Sequence, residues 1–156
     1  MTVDHSLFSA LRAVFPSDLD GVAFETDNGL SYSWRDLESA TAMLANLLQG
    51  LQLPPASRIA VQVDKSVEAA LLYLATLRAG HVFLPLNTAY QRAEIGYFIE
   101  DAEPAVVVCS ERNFGWVSQI AFQAGCSRVF TLNDDRTGSL LDRASSCSDQ
   151  HQAVSR

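Results

Sequence analysis

The chain has 156 residues, of which 48% are hydrophobic and 19% are charged, and its formal net charge is −7. This length suits one domain with a sizeable core, and this composition is typical of a globular protein rather than a disordered one. Binding to phosphate backbones needs a basic face, so the acidic balance argues against a nucleic-acid partner.

The N-terminus carries no predicted targeting segment. In its first 15 residues an acid precedes the first base and no long apolar stretch follows, unlike a secretory leader. The longest apolar run, residues 69–75, is far shorter than the roughly 20 residues that span a bilayer, so we expect no membrane contact. Cys109, Cys126 and Cys147 form no CxxC spacing, which favours reduced thiols over a disulfide framework or zinc site. Together these features predict a cytoplasmic protein.

The first predicted elements are a short helix and a hairpin. Apolar residues at helical spacing predict an amphipathic helix ended by Pro16, with an apolar face of Leu7, Leu11 and Phe15 flanked by Phe8 and Val14. Asn28-Gly29 tolerates positive φ at both central positions of a turn. Because it lies between the strand-like segments 22–25 and 30–32, it predicts a β-hairpin.

A longer helix follows the hairpin. Ser33 can accept a hydrogen bond from the first turn, and Asp36 stands three residues later, which approximates a capping box. One face stays apolar through Leu37, Ala40, Leu44, Leu47, Leu48 and Leu51. Gly50 lies near the predicted end, and Pro54-Pro55 breaks the helix.

From position 58 onward, strands and helices alternate. The predicted strands are 58–63, 81–86, 105–109 and 128–132, and the predicted helices are 67–79, 91–101 and 113–124. Ser66 caps the first of these helices and Gly80 closes it. Alternation at this spacing predicts right-handed crossovers and a parallel sheet. Pro85 cannot donate a ladder hydrogen bond, so we place it at the end of its strand.

The C-terminal residues differ in character from the rest of the chain. Residues 143–156 are polar, which predicts a linker or tail. Residues 1–142 then form the folded unit, and no internal repeat interrupts it.

Ligands bind open parallel sheets at the carboxyl ends of strands, and three such ends carry residues of interest. Asp64-Lys65-Ser66 follows the first parallel strand, where a lysine and a hydroxyl at a helix N-terminus can hold an anion. The chain lacks GxxxxGK[ST] and GxGxxG, so a helix cap with solvated charges is favoured. Asn87-Thr88-Ala89-Tyr90 follows the second strand. These residues can orient a substrate, but a turn is favoured.

A third strand ends at Cys109-Ser110-Glu111, which raises the question of a cysteine nucleophile. No histidine is placed to activate it, and Cys109 closes a strand that is predicted to be buried, so a structural thiol is favoured. The histidines His5, His81 and His151 are too dispersed to predict a metal site.

Two carboxylate pairs also stand out in the sequence. Asp134-Asp135 and the pair of Asp101 with Glu103 have the residue type that general acid–base chemistry uses. Neither pair has a predicted pocket, so turn and surface roles are favoured.

Four segments in this order resemble the N-terminal portion of AMP-forming acid–CoA ligases of the adenylate-forming superfamily. They read LSYSWRDLESATAMLANLL, RIAVQVDKSVEAALLYLATLRAG, VFLPLNTAYQRAEIGYFIEDAEP and AVVVC. The second and third are most similar to the malonyl-CoA synthetase branch. Local departures are the residues LPPAS at 53–57, where the family has a Gly-Asp turn, together with Ile95 and Gly96.

The resemblance implies an α/β fold: a largely parallel sheet flanked by helices, an N-terminal β-hairpin, and an incomplete N-terminal subdomain of the ligase fold. It implies that the complete enzyme uses ATP, Mg²⁺ and CoA on a malonate-like carboxylic acid. The family places its adenine site, carboxylate site, phosphate loop and C-terminal domain beyond position 156. We therefore assign no catalytic, cofactor-binding or metal residue here, and expect the chain to bind no cofactor by itself.

The family's lysines support the same expectation. The resemblance implies one lysine in a phosphate loop and another in a mobile C-terminal domain, whereas Lys65 is the single lysine here and matches neither. Thr137-Gly138-Ser139 superficially resembles the start of that loop, but LLDRAS follows it without a second glycine, which predicts a turn. The chain alone is therefore predicted to be inactive.

The sequence leaves two alternatives to an inactive ligase fragment. The first is a non-catalytic scaffold or interaction module that pairs with a separate chain, or self-associates through exposed sheet edges. The second is a flavodoxin-like receiver. It is disfavoured because Asp64 stands alone after the first strand, Cys109 ends the third, and no lysine follows Leu132.

Overall fold

The computed structural model describes residues 6–155, and its first element is the helix α1, Leu7–Ala13. Ser6 caps this helix, since its Oγ accepts a hydrogen bond from the Ser9 N–H at 3.1 Å. The predicted end at Pro16 is late, because Val14 already leaves the helical conformation with φ −97° and ψ 4°.

The buried face of α1 differs from the predicted one. Phe8 is 3% exposed, whereas Leu7, Leu11 and Val14 are exposed by 52%, 36% and 78%. The guanidinium carbon of Arg78 lies 4.8 Å from the centroid of the Phe8 ring. This cation–π contact with Arg78, far along the chain, places the Phe8 side of α1 against the core. The predicted buried face with Leu7 and Leu11 is therefore wrong.

The predicted hairpin is confirmed. Strand β1, Val22–Glu25, pairs antiparallel with β2, Ser31–Ser33. Gly29 takes a φ of 86°, while Asn28 stays in the ordinary negative region. The left-handed conformation is therefore needed at one turn position, and glycine occupies it.

Helix α2, Trp34–Gly50, begins with the capping box that the sequence predicts. Ser33 Oγ accepts from the Asp36 N–H at 3.0 Å, and Asp36 Oδ2 accepts from the Ser33 N–H at 2.8 Å. The inner face of α2 buries Leu37, Thr41, Ala42, Leu44, Ala45, Leu47 and Leu48. Gly50 is the last helical residue, and Gln52, with φ 56°, makes the left-handed turn beyond it.

The four predicted parallel strands form one sheet in the order β4-β3-β5-β6, and the predicted α/β class is confirmed. The strands are β3 Arg58–Gln62, β4 Val82–Pro85, β5 Val106–Cys109 and β6 Val129–Thr131. β4 is an edge strand and Pro85 is its last residue, as predicted.

Three helices connect these strands. They are α3 Val67–Arg78, α4 Arg92–Ala102 and α5 Phe114–Gln123, and a 3₁₀ turn over Glu111–Asn113 precedes α5. The predicted Ser66 cap is confirmed, because its Oγ accepts from the Ala69 N–H at 3.0 Å. Gly80 follows α3 with φ 77°, as a helix-closing glycine does.

The core has two layers, one on each face of the sheet. Alternate strand residues such as Ile59 and Val106 face α2 and α3. Ala60, Val107 and Cys109 face α4 and α5. Every residue of β5 is buried, as the continuous apolar run predicts.

A sixth helix, α6 Ser139–Ala144, was not predicted. Ser139 and Thr131 exchange two hydrogen bonds: the Thr131 N–H donates to Ser139 Oγ and the Ser139 N–H donates to Thr131 Oγ1, both at 2.9 Å. Leu140, the second residue of this helix, is fully buried. Tertiary packing thus stabilises a helix that is too short to form alone.

The predicted linker over residues 143–156 starts inside α6 and then folds back over α2 and α3. The Asn46 side-chain amide donates to the carbonyls of Ser148 and Gln150, both at 2.9 Å. The Val154 N–H donates to the Arg78 carbonyl at 2.8 Å. These contacts attach the segment to the folded body up to the last described residues, which a solvated linker would not do.

A buried cation holds α1, α2 and the chain end together. Arg78 is 3% exposed, and its Nη1 donates to the Glu38 carbonyl and to Thr41 Oγ1, both at 3.0 Å. Its Nη2 donates to Glu38 Oε1 at 3.0 Å and to the His151 carbonyl. Arg12 Nε donates to Glu38 Oε2 at 2.6 Å. Glu38 thus joins the two arginines in one network.

Candidate functional site

The carboxyl ends of β3, β5 and β6 meet at one edge of the sheet, where the sequence placed its candidate residues. A shallow cavity of about 340 Å³ lies there, lined by Asp64, Ser110, Glu111, Arg112, Asn133, Asp134 and Asp135. The structure therefore brings together two of the three predicted strand ends, with Asp134-Asp135 beside them.

Asp64 is paired rather than open for a ligand. Arg112 Nη2 lies 3.2 Å from Asp64 Oδ1 and 3.0 Å from Oδ2. Lys65 is exposed next to this pair, while Ser66 caps α3. The favoured interpretation of Asp64-Lys65-Ser66 as a helix cap with solvated charges agrees with this geometry.

Asn133 connects the exit of β6 to the exit of β5. Its Oδ1 accepts from the Glu111 N–H at 2.9 Å, and its Nδ2 donates to Glu111 Oε2 at 3.3 Å. Nδ2 also donates to Thr137 Oγ1 at 3.0 Å. The Thr137 hydroxyl and N–H donate to Asp135, and these bonds lower the pKa of that exposed carboxyl. This is the turn or surface role favoured for Asp134-Asp135, whereas Ser139 of the predicted turn Thr137-Gly138-Ser139 is the first residue of α6.

A second concavity lies between the hairpin and the start of α3. Tyr32 Oη donates to Glu68 Oε1 at 2.5 Å, and Glu68 is 7% exposed. Burial and then the Glu68 carboxylate raise the pKa of Tyr32. Lys65 and Arg136 line the same concavity. The Tyr32–Glu68 pair was not predicted, because its members are 36 positions apart in the sequence.

The loop after β4 is fastened by a residue that the sequence analysis also missed. The Gln62 side-chain amide donates to the Asn87 carbonyl at 3.0 Å and to the Tyr90 carbonyl at 3.1 Å. Asn87 Oδ1 accepts from the Ala89 N–H at 2.9 Å, which is the turn favoured for Asn87-Thr88-Ala89-Tyr90. The available signal was a glutamine inside an apolar strand, since such a buried amide needs partners.

The remaining candidates do not meet at this edge. Asp101 and Glu103 are exposed at the end of α4, where Glu103 makes a left-handed cap with φ 48°. His81 is buried and its Nδ1 accepts from the Ser57 N–H at 3.2 Å. His151 packs on α2, and His5 lies outside the described residues.

Two kinds of feature are absent from the described residues. Between positions 6 and 155 no group of three or more His, Cys, Asp or Glu side chains is arranged to hold a metal ion. Within the same range no helix is long and apolar enough to cross a bilayer.

Cys109 is buried at the end of β5, as predicted, and burial raises the pKa of its thiol to about 12. Cys126 is 6% exposed, while Cys147 is partly exposed. Because the thiolate is the reactive form, we expect Cys147 to react first with an aromatic disulfide reagent at about pH 8. All three thiols should react after denaturation.

Labelling followed by mass spectrometry of peptides checks this order, with Cys147→Ser as the matched control. That variant should show almost no fast-reacting thiol in the native state. Rapid native labelling of Cys109 would contradict the structural role given to it.

Comparison with known proteins adds a family match to this geometry. A family model described as "AMP-binding enzyme" matches residues 13–154. The structure of apo MatB from Rhodopseudomonas palustris superposes with a TM-score of 0.93 and 41% identity, covering 99% of this chain and 30% of that one. A benzoate CoA ligase from Burkholderia xenovorans LB400 superposes with a TM-score of 0.84 at 21% identity, which shows a shared fold.

Curated relatives by sequence include two synthases. Tyrocidine synthase 1 from Brevibacillus parabrevis is 29% identical over 131 residues, which are 84% of this chain and 11% of that protein. Enterobactin synthase component F from Escherichia coli O157:H7 is 31% identical over 109 residues, which are 70% of this chain and 8% of that protein. The chain therefore spans only a small part of the curated relatives that it matches.

Proposed function

The chain belongs to the family of AMP-binding enzymes, and on this premise we propose that it forms the N-terminal part of an acid–CoA ligase of the malonyl-CoA synthetase type. The observation that carries the proposal is the likeness to MatB, with 41% identity over 99% of this chain. The two synthases named above match a smaller share of the chain at 29% and 31% identity, which favours the CoA-ligase branch over theirs.

The proposed reaction of the complete protein has two steps. A malonate-like carboxylate attacks the α-phosphate of Mg²⁺-bound ATP, which forms an acyl-adenylate and releases pyrophosphate. The thiol of CoA then attacks the acyl carbon and displaces AMP, which leaves the thioester. In each step one bond forms as another breaks. No oxidation state changes, so neither step requires an oxidant.

Within that protein we propose a supporting role for the present residues. At the carboxyl edge of the sheet Asp64 pairs with Arg112 and Glu111 with Asn133, and beside the hairpin Glu68 pairs with Tyr32. Paired groups of this kind fix loops in place, whereas catalytic groups must remain available to the substrate. The described residues would thus form a rigid wall behind the reacting groups.

This role predicts that the chain alone releases no pyrophosphate from ATP, Mg²⁺, malonate and CoA above a no-protein control. A second experiment uses a chimera in which this chain replaces the matching 30% of MatB. That chimera should retain malonate-dependent activity within about tenfold of MatB, because a scaffold exchange leaves transition-state contacts in place.

Three outcomes separate the possibilities in a coupled pyrophosphate assay. Turnover by the chain alone would overturn the supporting role. A folded chimera that binds ATP without turnover would overturn the assignment to this branch. Activity on mixing the chain with the unlinked remainder of MatB would favour the alternative of an interaction module. The cytoplasmic location and the lack of nucleic-acid and membrane partners stay predictions.

A further inference from the structure

Residues 148–154, called the strap below, cross the outer surface of α2 and α3 and are held mainly through their backbone. Asn46 fixes the start of the strap through two carbonyls, and the Val154 N–H bonds to the Arg78 carbonyl at its end. Between these points Arg78 Nη2 donates to the His151 carbonyl. The strap is thus attached at both ends, with one histidine at its centre.

The ring of His151 has one partnered nitrogen and one unpartnered nitrogen. Nε2 lies 2.7 Å from Gln49 Oε1 on α2, so the neutral ring donates from Nε2. Nδ1 is buried and has no hydrogen-bond partner among residues 6–155. A second proton on this ring would therefore sit on a buried nitrogen without an acceptor.

The charges around the ring come from each element packed against it. Arg78 on α3 is buried and cationic. On α2, Glu38 already accepts from Arg78 and from Arg12 of α1, and Arg35 is paired with Asp20 at 2.8 Å. The strap's own carboxylate, Asp149, lines the same open cavity and is exposed. Arg78 is thus the most deeply buried of these charged groups, so water screens its charge least.

We propose that the strap is a pH-sensitive element, closed on α2 and α3 while His151 is neutral and released when that ring is protonated. Protonation places a second cation beside buried Arg78 and leaves a buried N–H unpaired. Both changes oppose the closed position, whereas the released strap exposes the imidazolium to water. The backbone bonds of Val154 and His151 then open together.

The direction of the pKa shift agrees with this geometry. Burial, and then the charge of Arg78, lower the pKa of His151 in the closed state. The closed strap therefore binds a proton less well than the released strap does. Its closure is complete above the ordinary histidine pKa of about 6.5 and weakens as the pH falls from there toward the lower pKa of the closed state.

Amide hydrogen exchange followed by NMR tests the proposal on the intact chain. The protection factor of the Val154 amide, corrected for the intrinsic exchange rate, should fall roughly threefold or more between about pH 8 and pH 5. Core amides such as that of Ala60 should keep their protection. His151→Gln should remove the pH response of Val154, and Gln152→Ala, an exposed neighbour, should retain it.

Two results would overturn the proposal. The first is equal Val154 protection at both pH values in the unmodified chain, and the second is an unchanged pH response in His151→Gln. If His151→Gln releases the strap at every pH, the unmodified chain still decides the question. In the unmodified chain, the amide chemical shifts of the strap must then titrate with the same midpoint as the His151 ring. A different midpoint would refute the coupling of strap release to His151 protonation.

Discussion

Replacing Gly138 by alanine is expected to lower the free energy of unfolding by about 4 kcal/mol. Gly138 has φ 134° and ψ 162°, a conformation that side chains rarely adopt. A Cβ built there would lie 2.3 Å from the Thr131 carbonyl oxygen, which is backbone and cannot swing away. The substitution therefore separates α6 from β6 and removes Leu140 from the core.

Urea unfolding followed by circular dichroism measures this loss, and Gly96→Ala is the matched control. Gly96 lies inside α4 with ordinary φ, and a Cβ there meets no atom within 4 Å. Because alanine is the better helix former, that variant should gain about 0.5–1 kcal/mol. Similar changes in the two variants would show that the close approach at Gly138 does not exist in solution.

Replacing Arg78 by methionine is the second large effect, with an expected loss of about 3 kcal/mol in the free energy of unfolding. Methionine keeps the apolar stem but removes four donated hydrogen bonds and the contact with Phe8. The carbonyls of Glu38 and His151 then lose the hydrogen bonds that Arg78 donates to them. The loss stays below the upper range for buried pairs because Glu38 is partly exposed and keeps Arg12.

A double-mutant cycle with Glu38→Gln isolates the charge pair from the packing. Each single variant leaves one charged partner behind, so the double variant should lose less than the sum of the two. Arg35→Met is the control, since Arg35 forms an exposed pair with Asp20 and should change the unfolding midpoint little. Additive losses in the cycle would contradict the described network.

Local sequence patterns were sufficient to predict the elements that depend on residues close together in the chain. The capping box at Ser33 and Asp36, the Ser66 cap and the buried run of β5 each depend on residues a few positions apart. The sheet followed from the alternation of such segments. The N-terminal ligase fold followed from the resemblance, and the MatB comparison bears it out.

Contacts between distant positions account for what the sequence analysis missed. Helix α6 depends on the Thr131–Ser139 exchange and on burial of Leu140, neither of which its six residues reveal. Gln62 contacts carbonyls 25 and 28 positions away. Asn46 contacts the strap across more than 100 positions. No periodicity within one segment can encode such partners.

The position of Pro85 limits how two copies of this chain could pair through the edge strand β4. The Val82 N–H donates to a carbonyl just before β3, and the Leu86 N–H donates to a carbonyl within β3. Backbone groups alternate in direction along a strand, so positions 81, 83 and 85 face away from β3. The His81 amide is already bonded to the Thr76 carbonyl, and proline has no amide hydrogen. Phe83 is then the one donor of these three facing outward, too few for templated strand addition of the kind that seeds fibrils.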